Sequence, residues 1–525
     1  MSFSRIDMST VPPTIEVPRS YNAAADLLQR HVIEGRGDRI AIVDADGRHT
    51  YAALWERAAR AASVLRDLGV QPEQRVALAM LDTAELPAVF LGAIAMGAVP
   101  VLLNTLLTTD DYRFMLRDSR AKAVVMSDHM VGKLAPAIAD SPYLSAAAVA
   151  RTPLGGEPGA FQRWEPLVEA AQPIASVFES TADDVAFWLY SSGSTGKPKG
   201  AMHVHSSPII TAGLYARGVL GIREDDVVFS AAKLFFAYGL GNSLTFPFSV
   251  GATTVLFADR CTPPAVLEVF TKHQPTIFGG VPTLFASLLA NADLKRQDTL
   301  RVSTSAGEAL PRHVGEKWRE RVGSDILDGI GSTEMLHIFI SNRHGDVAYG
   351  TTGKPVPGYE LELRDDNGDP VPVGHEGALW VKGPTTCIGY WANRERSLQN
   401  FHGPWTRTGD SYTCDADGRW TYSGRTDDML KVGGIWVSPF EVESALASHE
   451  AVLECAVVGH EDADGLTKPR AFVVLKAEMT VEVHDLQAFV KAKLAPFKYP
   501  RWIEFVTELP KTATGKIQRF KLRAP

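Results

Sequence analysis

Cysteine is scarce in this chain. Cys261, Cys387, Cys414 and Cys455 are the only four in 525 residues, and no two form a C-x-x-C pair or stand beside paired histidines. That usage excludes a disulfide framework and weighs against a structural zinc site, so buried or inert thiols are expected. Long apolar runs are also missing. The longest, Ala88–Leu103, is broken by Gly92, Gly97 and Pro100 and falls short of the ~20 residues a membrane span needs. Residues Met1–Thr10 lack the charged-then-apolar layout of a secretory signal. A cytoplasmic location with no membrane partner is therefore expected. Basic charge is not in excess: 53 Lys and Arg against 61 Asp and Glu give a net charge of −8, so no nucleic-acid partner is expected. Hydrophobic residues make up 45% and charged residues 22%, which excludes a mostly disordered or collagen-like chain. No internal repeat or low-complexity tract is present.

At ~100–200 residues per domain the length fits two to four units. Tyr51–Gly69 has Leu and Trp at helical spacing and a closing glycine. Arg75–Leu81 is a short apolar strand, Ala84–Met96 a helix and Val99–Leu103 a strand. Thr109–Asp118 reads as a helix with a Thr N-cap and acids in its first turn, and Ala121–Met126 as a strand. The alternation resumes with Val185–Tyr190, Ala252–Phe257, Thr276–Phe278, Val302–Ser305 and Asp325–Asp328. Repeated β-then-α units predict an α/β fold with a doubly wound core. From Tyr359 to Ser423 short strands separated by Gly, Asp and Asn predict a β-rich subdomain. After the polar stretch Arg425–Lys431 the chain reads as a small α+β unit. Its elements are helices at Pro439–Ser448 and Val483–Leu494 and strands at Glu454–Val458 and Arg470–Leu475.

The strand Val185–Tyr190 runs into Ser191-Ser-Gly-Ser-Thr-Gly-Lys-Pro-Lys-Gly200. Glycines there let backbone N–H groups converge on an anion, hydroxyls donate and lysines supply charge, so the loop reads as a phosphate cradle. It is not a P-loop. That motif needs Gly, four residues, then Gly-Lys-Ser/Thr; here Ser191 stands in the first glycine's place and Pro198 in that of the metal-holding hydroxyl. Glu334 follows a strand and a Gly-Ser-Thr turn, at the end where α/β folds bind ligands. A carboxylate beside polyphosphate makes sense with a divalent cation, which points to Mg²⁺ on Glu334.

With this loop in place, the chain resembles the adenylate-forming superfamily of acyl-CoA synthetases, firefly luciferase and adenylation domains. The resemblance covers nearly the whole chain. Gly329-Ile-Gly-Ser-Thr-Glu334, Thr408-Gly-Asp410, Ser423-Gly-Arg-Thr-Asp-Asp428 and Pro510-Lys-Thr-Ala-Thr-Gly-Lys516 follow in the family's order. It implies a large N-terminal ATP- and acyl-binding domain (1–426, with a β-rich subdomain at 359–426) and a small mobile C-terminal domain (427–525). It implies a reaction in which a carboxylate attacks the α-phosphate of Mg·ATP and coenzyme A then attacks the acyl carbon. ATP would lie on Ser191, Ser192, Gly193, Ser194, Thr195, Gly196, Lys197 and Lys199, on Glu308, and on Asp328, Gly329, Ile330, Gly331, Ser332 and Thr333. Asp410 would accept the ribose hydroxyls, Arg425 would contact the ribose–phosphate region, and Thr333 and Glu334 would act at the phosphates. Lys516 would bridge the carboxylate and the α-phosphate in the first half-reaction. Asp427 would be the hinge of domain rotation, and Lys431, Gly433, Gly434 and Trp436 would meet CoA. The stretch Lys491–Pro525 carries nine Lys or Arg against two Glu, and part of it could receive the CoA phosphates; a solvated basic face is the other reading. A monomer or homodimer is expected.

The family's acyl site would be lined by Phe236, Ala237, Tyr238, Gly280, Ala306, Gly307, Gly331, His337 and Ile338. This lining is aromatic and apolar with few polar tips, which suits a flat aromatic acid. No Asp or Glu falls between Lys233 and Val250, which argues against an amino acid substrate. Several stretches, among them Lys233-Leu-Phe-Phe-Ala-Tyr-Gly239 and Val432-Gly-Gly-Ile-Trp-Val-Ser-Pro439, look like the benzoate–CoA ligase branch. Benzoate is the expected acid. A hydroxy- or aminobenzoate, or a medium-chain or arylalkanoic acid, is the alternative.

Overall fold

A computed structural model describes residues 2–191, 197–432, 435–462, 466–494, 498–511 and 517–523. Two large sheets organise the N-terminal part. In the first, the strands run in the order Lys199–Val204, Val185–Ser191, Val99–Leu102, Arg75–Ala79, Ala123–Ser127, Ala146–Ala150, Gln162–Arg163. All neighbours are parallel except the first pair. In the second, a parallel centre (Asp325–Gly331, Val302–Ser305, Ile277–Gly280, Val227–Ser230, Thr253–Val255, Ile40–Asp44) is flanked by antiparallel edges, Ile338–Ser341 with Lys354–Pro355 on one side and Gly47–Thr50 on the other. The largest buried cluster joins helices Tyr51–Asp67 and Glu85–Ala95 to Leu78 and Leu189 of one sheet and Ile42 of the other. A helical layer thus lies between the two sheets, which is the doubly wound arrangement expected from the alternating pattern.

Strands Glu360–Arg364, Glu376–Lys382, Phe401–His402, Trp405–Cys414 and Trp420–Arg425 form an antiparallel sheet. It buries Leu379, Val381, Tyr412 and Trp420 in one cluster with Tyr215 and Ile338. The C-terminal part has its own core. Helix Pro439–Ala447, capped by Ser438, and helix Val483–Lys493 cover the sheet Val452–Glu461, Thr467–Leu475, Trp502–Phe505. Among the described residues no helix is long and apolar enough to cross a membrane.

The threonine N-cap expected for helix Thr109–Ser119 is Thr108, in a reciprocal box with Asp111; Thr108 has the extended backbone an N-cap needs. The supposed loop through Gly200 ends earlier: Lys199–Val204 is a strand paired antiparallel with Val185–Ser191. Asp410 lies inside the long strand Trp405–Cys414.

Candidate active site

The turn Ser332–Leu336 reverses the chain between strands Asp325–Gly331 and Ile338–Ser341, which pair antiparallel. The Met335 N–H donates to Ser332 Oγ at 3.1 Å and the Leu336 N–H to the Thr333 carbonyl at 3.2 Å. Leu336 takes a left-handed φ of 68° to complete the reversal. Glu334 sits at the tip, with its carbonyl accepting the Cys387 N–H at 2.8 Å.

The Glu334 carboxylate is held from a distant part of the chain. Residues 388–391 run alongside the strand Lys199–Val204: Ile388 N–H meets the Met202 carbonyl at 3.0 Å and Trp391 N–H the Gly200 carbonyl at 2.9 Å. This places Tyr390 next to Lys199. The Tyr390 hydroxyl donates to Glu334 Oε1 at 2.7 Å and accepts from Asn400 Nδ2 at 2.9 Å and Lys199 Nζ at 3.3 Å. Its single proton and both lone pairs are thereby used. Burial pulls the Lys199 pKa down while Glu334 opposes that pull. On the same strand face, two residues further round the pleat from Ala201, His203 Nε2 lies 2.8 Å from the Thr333 carbonyl. Burial pushes the His203 pKa to about 4, so the ring is neutral and its proton sits on Nε2, the atom that must donate.

Asp410 and Arg425 face each other across the ladder of strands Trp405–Cys414 and Trp420–Arg425. Arg425 Nη1 donates to Asp410 Oδ1 at 2.9 Å and to the Thr408 carbonyl at 3.3 Å. Arg425 is close enough to lower the Lys199 pKa, which ties this pair to the Lys199–Tyr390–Glu334 group. Ser191 ends its strand opposite Lys199, and the Lys197 ammonium stands 5.1 Å from the Phe114 ring centroid. Gly329, Ile330 and Gly331 end the Asp325–Gly331 strand, and Glu308 follows the turn after Val302–Ser305. Asp328 is different. Its carboxyl is enclosed in the core, 3.5 Å from the Leu310 N–H, and burial pushes its pKa well above the carboxylate range.

Of the residues expected to line the acyl site, Tyr238 and Gly331 pack against His337. Its ring is buried, and burial drives its pKa to about 3, so it is neutral. Phe246, Tyr215 and Tyr238 surround it with ring centroids at 4.4, 5.2 and 5.6 Å. The Tyr238 hydroxyl pairs with Thr304 Oγ1 at 2.6 Å. A Cβ at Gly241 would strike the His337 ring, and one at Gly331 the His337 backbone; only glycine lets the pieces approach this closely. Ala306, Gly280 and Ile338 are buried beside the strand ends, Phe236 and Ala237 are half-buried, and Gly307 is exposed. The segment carrying Phe236–Tyr238 is fixed by two groups. Buried Asp82 accepts the Leu234 N–H at 3.3 Å, and Lys233 Nζ donates to the carbonyls of Phe257 and Asp259.

Ser192, Gly193, Ser194, Thr195, Gly196, Gly433, Gly434 and Lys516 lie outside the described residues, as do the side chains of Asp427, Lys431 and Trp436. Asp427 is in the short 3-10 turn Thr426–Asp428, and Lys431 and Trp436 oppose each other in the hairpin Leu430–Val432/Ile435–Val437. In the basic C-terminal stretch Lys498, Lys511, Arg519 and Arg523 are each paired with a carboxylate, which leaves less of it as a free cationic face. His203, Tyr390, Asn400 and Asp82 escape the sequence reading. The one local hint is the period-two placement of Lys199 and His203 on the same strand face.

Lys199 beside the Glu334 tip, the Asp410–Arg425 pair and the aromatic residues around His337 fit an adenylate-forming enzyme. The chain belongs to the AMP-binding enzyme family, whose signature matches residues 28–391, with the family's C-terminal domain matching 441–516. It is 54% identical over 531 residues to the benzoate–CoA ligase of Thauera aromatica, covering 100% of this chain and 99% of that one. It is 48% identical to the 4-hydroxybenzoate–CoA/benzoate–CoA ligase of Rhodopseudomonas palustris, covering 96% of this chain and 94% of the other. A crystal structure of a benzoate CoA ligase from Burkholderia xenovorans superposes with a TM-score of 0.90 at 53% identity, covering 96% of this chain and 100% of that one.

Proposed function

We propose that this protein is an ATP-dependent aryl-CoA ligase that converts benzoate to benzoyl-AMP and then to benzoyl-CoA. The observation that carries this reading is the turn Ser332–Leu336. It holds Glu334 against Tyr390, next to Lys199, and passes directly into His337, which Phe246, Tyr215 and Tyr238 surround. An acid seated against His337 therefore lies one turn away from the groups suited to a nucleotide. The full-length identity to the Thauera benzoate–CoA ligase supports the same substrate.

In the first step a carboxylate oxygen bonds to the α-phosphorus as the bond to pyrophosphate breaks. In the second, the CoA sulfur bonds to the acyl carbon, AMP leaves with its phosphate oxygen, and the thiol proton goes to solvent. Lys199 offsets phosphate charge, Asp410 accepts ribose hydroxyls while Arg425 holds its carboxylate in place, and His203 fixes the Thr333 carbonyl. Tyr390 occupies one oxygen of Glu334. The other suits a Mg²⁺ ion, a cation that takes one or two carboxylates together with substrate phosphates. When bound, that ion neutralises phosphate charge. Lys516 is the cation assigned to the first step, and rotation of residues 427–525 about Asp427 brings the Lys431–Trp436 hairpin to the site for the second.

The Tyr238–Thr304 hydroxyl pair beside the pocket favours a second reading, a hydroxybenzoate, which the name of the Rhodopseudomonas relative also supports. Purified protein with ATP, Mg²⁺ and CoA, assayed for pyrophosphate and acyl-CoA over a panel of acids, separates these. Benzoate should give the highest kcat/KM, with a single ring hydroxyl changing it by ~10–200-fold. A higher kcat/KM for hexanoate overturns the aryl assignment.

A further inference from the structure

A cavity of about 510 Å³ lies away from this site. Arg36, Arg223 with Glu224, and Ser249 with Val250 line it, and each precedes a strand of the second sheet: Ile40–Asp44, Val227–Ser230 and Thr253–Val255. These strands are parallel neighbours, so the cavity opens at their N-terminal ends. Glu334, Glu308 and Phe236 all follow the C-terminal ends. The two sites therefore sit at opposite edges of one sheet.

The charged lining is four arginines, Arg30, Arg36, Arg217 and Arg223, against Glu34 and Glu224. The carboxylates are already engaged. Glu34 takes Arg30 at 2.8 Å as well as Arg36, and Glu224 pairs with Arg39, outside the cavity, at 3.1 Å. Arg30 is further held by Asp26 and the Ser4 carbonyl. Arg217 is left over. It is half-buried at the end of the π-helix Ala212–Arg217, and among the described residues it has no hydrogen-bond or ion-pair partner. The charged group that acts on it is Arg30, which repels it; burial and this repulsion both lower its pKa. Arg36 lines the same cavity, with Glu34 as its counter-ion. A half-buried guanidinium without a counter-ion is costly, and the planar donor fork of a guanidinium matches phosphate oxygens.

We propose that this cavity is a binding site for a phosphate-type oxyanion, held between Arg217 and Arg36 and separate from the catalytic cleft. The test uses the full chain with its nucleotide site kept saturated with AMP, and inorganic phosphate as the probe at constant ionic strength. Phosphate should raise the thermal midpoint of the wild type and give a saturable calorimetric isotherm, as any ligand of the native state does. Arg217→Gln should bind at least tenfold more weakly, yet in phosphate-free buffer it should unfold no earlier than wild type, since an unpaired cation has been removed. Arg296→Gln, at an exposed arginine paired with Asp298, should respond as wild type. Should Arg217→Gln fail to fold, Arg36→Gln carries the same comparison. No response in the wild type, or an undiminished response in the Arg217 or Arg36 variant, overturns the site. Acetate binding as tightly as phosphate overturns the phosphate class.

Discussion

Tyr390 donates its hydroxyl proton to Glu334 Oε1 at 2.7 Å, although 56 residues separate them in sequence. The phenolic oxygen also accepts from Lys199 and Asn400, so one phenol sets the positions of a cation and an anion that are both proposed to meet the nucleotide. Groups that orient a metal-binding carboxylate typically alter metal affinity or activity by ~10–100-fold when removed. Tyr390→Phe keeps the ring that Lys199 packs on but loses the hydroxyl. It should lower kcat/KM for ATP by about tenfold and raise the Mg²⁺ concentration needed for half-maximal rate, with benzoate KM little changed. An unaltered Mg²⁺ dependence would detach Tyr390 from the role given to Glu334.

Gly241 is the floor against which His337 rests. A Cβ there would come within 2.6 Å of His337 Nε2 and 2.9 Å of Phe246 Cζ, so one of the rings would have to shift. Overpacking of this kind costs ~1–3 kcal/mol. Gly241→Ala should raise the benzoate KM by ~5–150-fold, at 1.36 kcal/mol per factor of ten, while ATP KM stays near wild type. Equal benzoate KM values for the two proteins would place the acid elsewhere.

The parts legible in sequence are those whose chemistry is local. The Gly/Ser/Thr/Lys run after an apolar strand, the glycines around Glu334 and the aromatic stretch after Lys233 carry their meaning within a few residues. What escapes is set by distant pairing. Tyr390 meets Lys199 because residues 388–391 lie along the strand Lys199–Val204, and nothing in Gly389-Tyr-Trp391 announces it. The strand Ala146–Ala150 is four alanines and a valine; its intrinsic preference is helical, and burial in a parallel sheet overrides it. The π-turn Gly241–Thr245, which brings Gly241 under His337, has no signature at a 3.6-residue period.

Asp82 is another such distant support, and its ionisation is measurable. Burial raises its pKa to about 6 against an ordinary 3.8, with Lys233 opposing the shift. A carboxyl whose pKa is higher in the folded state binds more protons there. Its contribution is therefore fully present below about 3.8 and is lost as pH rises through about 6. At 1.36 kcal/mol per unit the loss approaches ~3 kcal/mol. Denaturation of wild type and Asp82→Asn at a series of pH values should show the difference between them changing from about pH 4 to pH 6 and flat above pH 7. A constant difference across that range would mean that Asp82 ionises as an ordinary carboxyl.

Lys516 is assigned to adenylation, and its two flanks are anchored. Lys511 pairs with Glu454 at 2.6 Å and bridges to Ile517, while Arg519 clamps Glu443 with contacts of 2.7 and 2.9 Å. The Glu443 side chain is 9% exposed, so removing its partner leaves a buried charge uncompensated, at ~3–5 kcal/mol. Two variants then separate chemistry from anchoring. Lys516→Ala should slow acyl-adenylate formation by about 10²–10³, the size expected for a lost charge-stabilising donor, leave thioester formation from supplied benzoyl-AMP nearly intact, and unfold at the wild-type temperature. Arg519→Gln should lower the unfolding temperature and slow both half-reactions together. If Lys516→Ala slows the two steps equally, the lysine acts on the position of the C-terminal unit and not on the α-phosphate, and another cation of the cleft, with Lys199 the first candidate, must carry the charge of the first step.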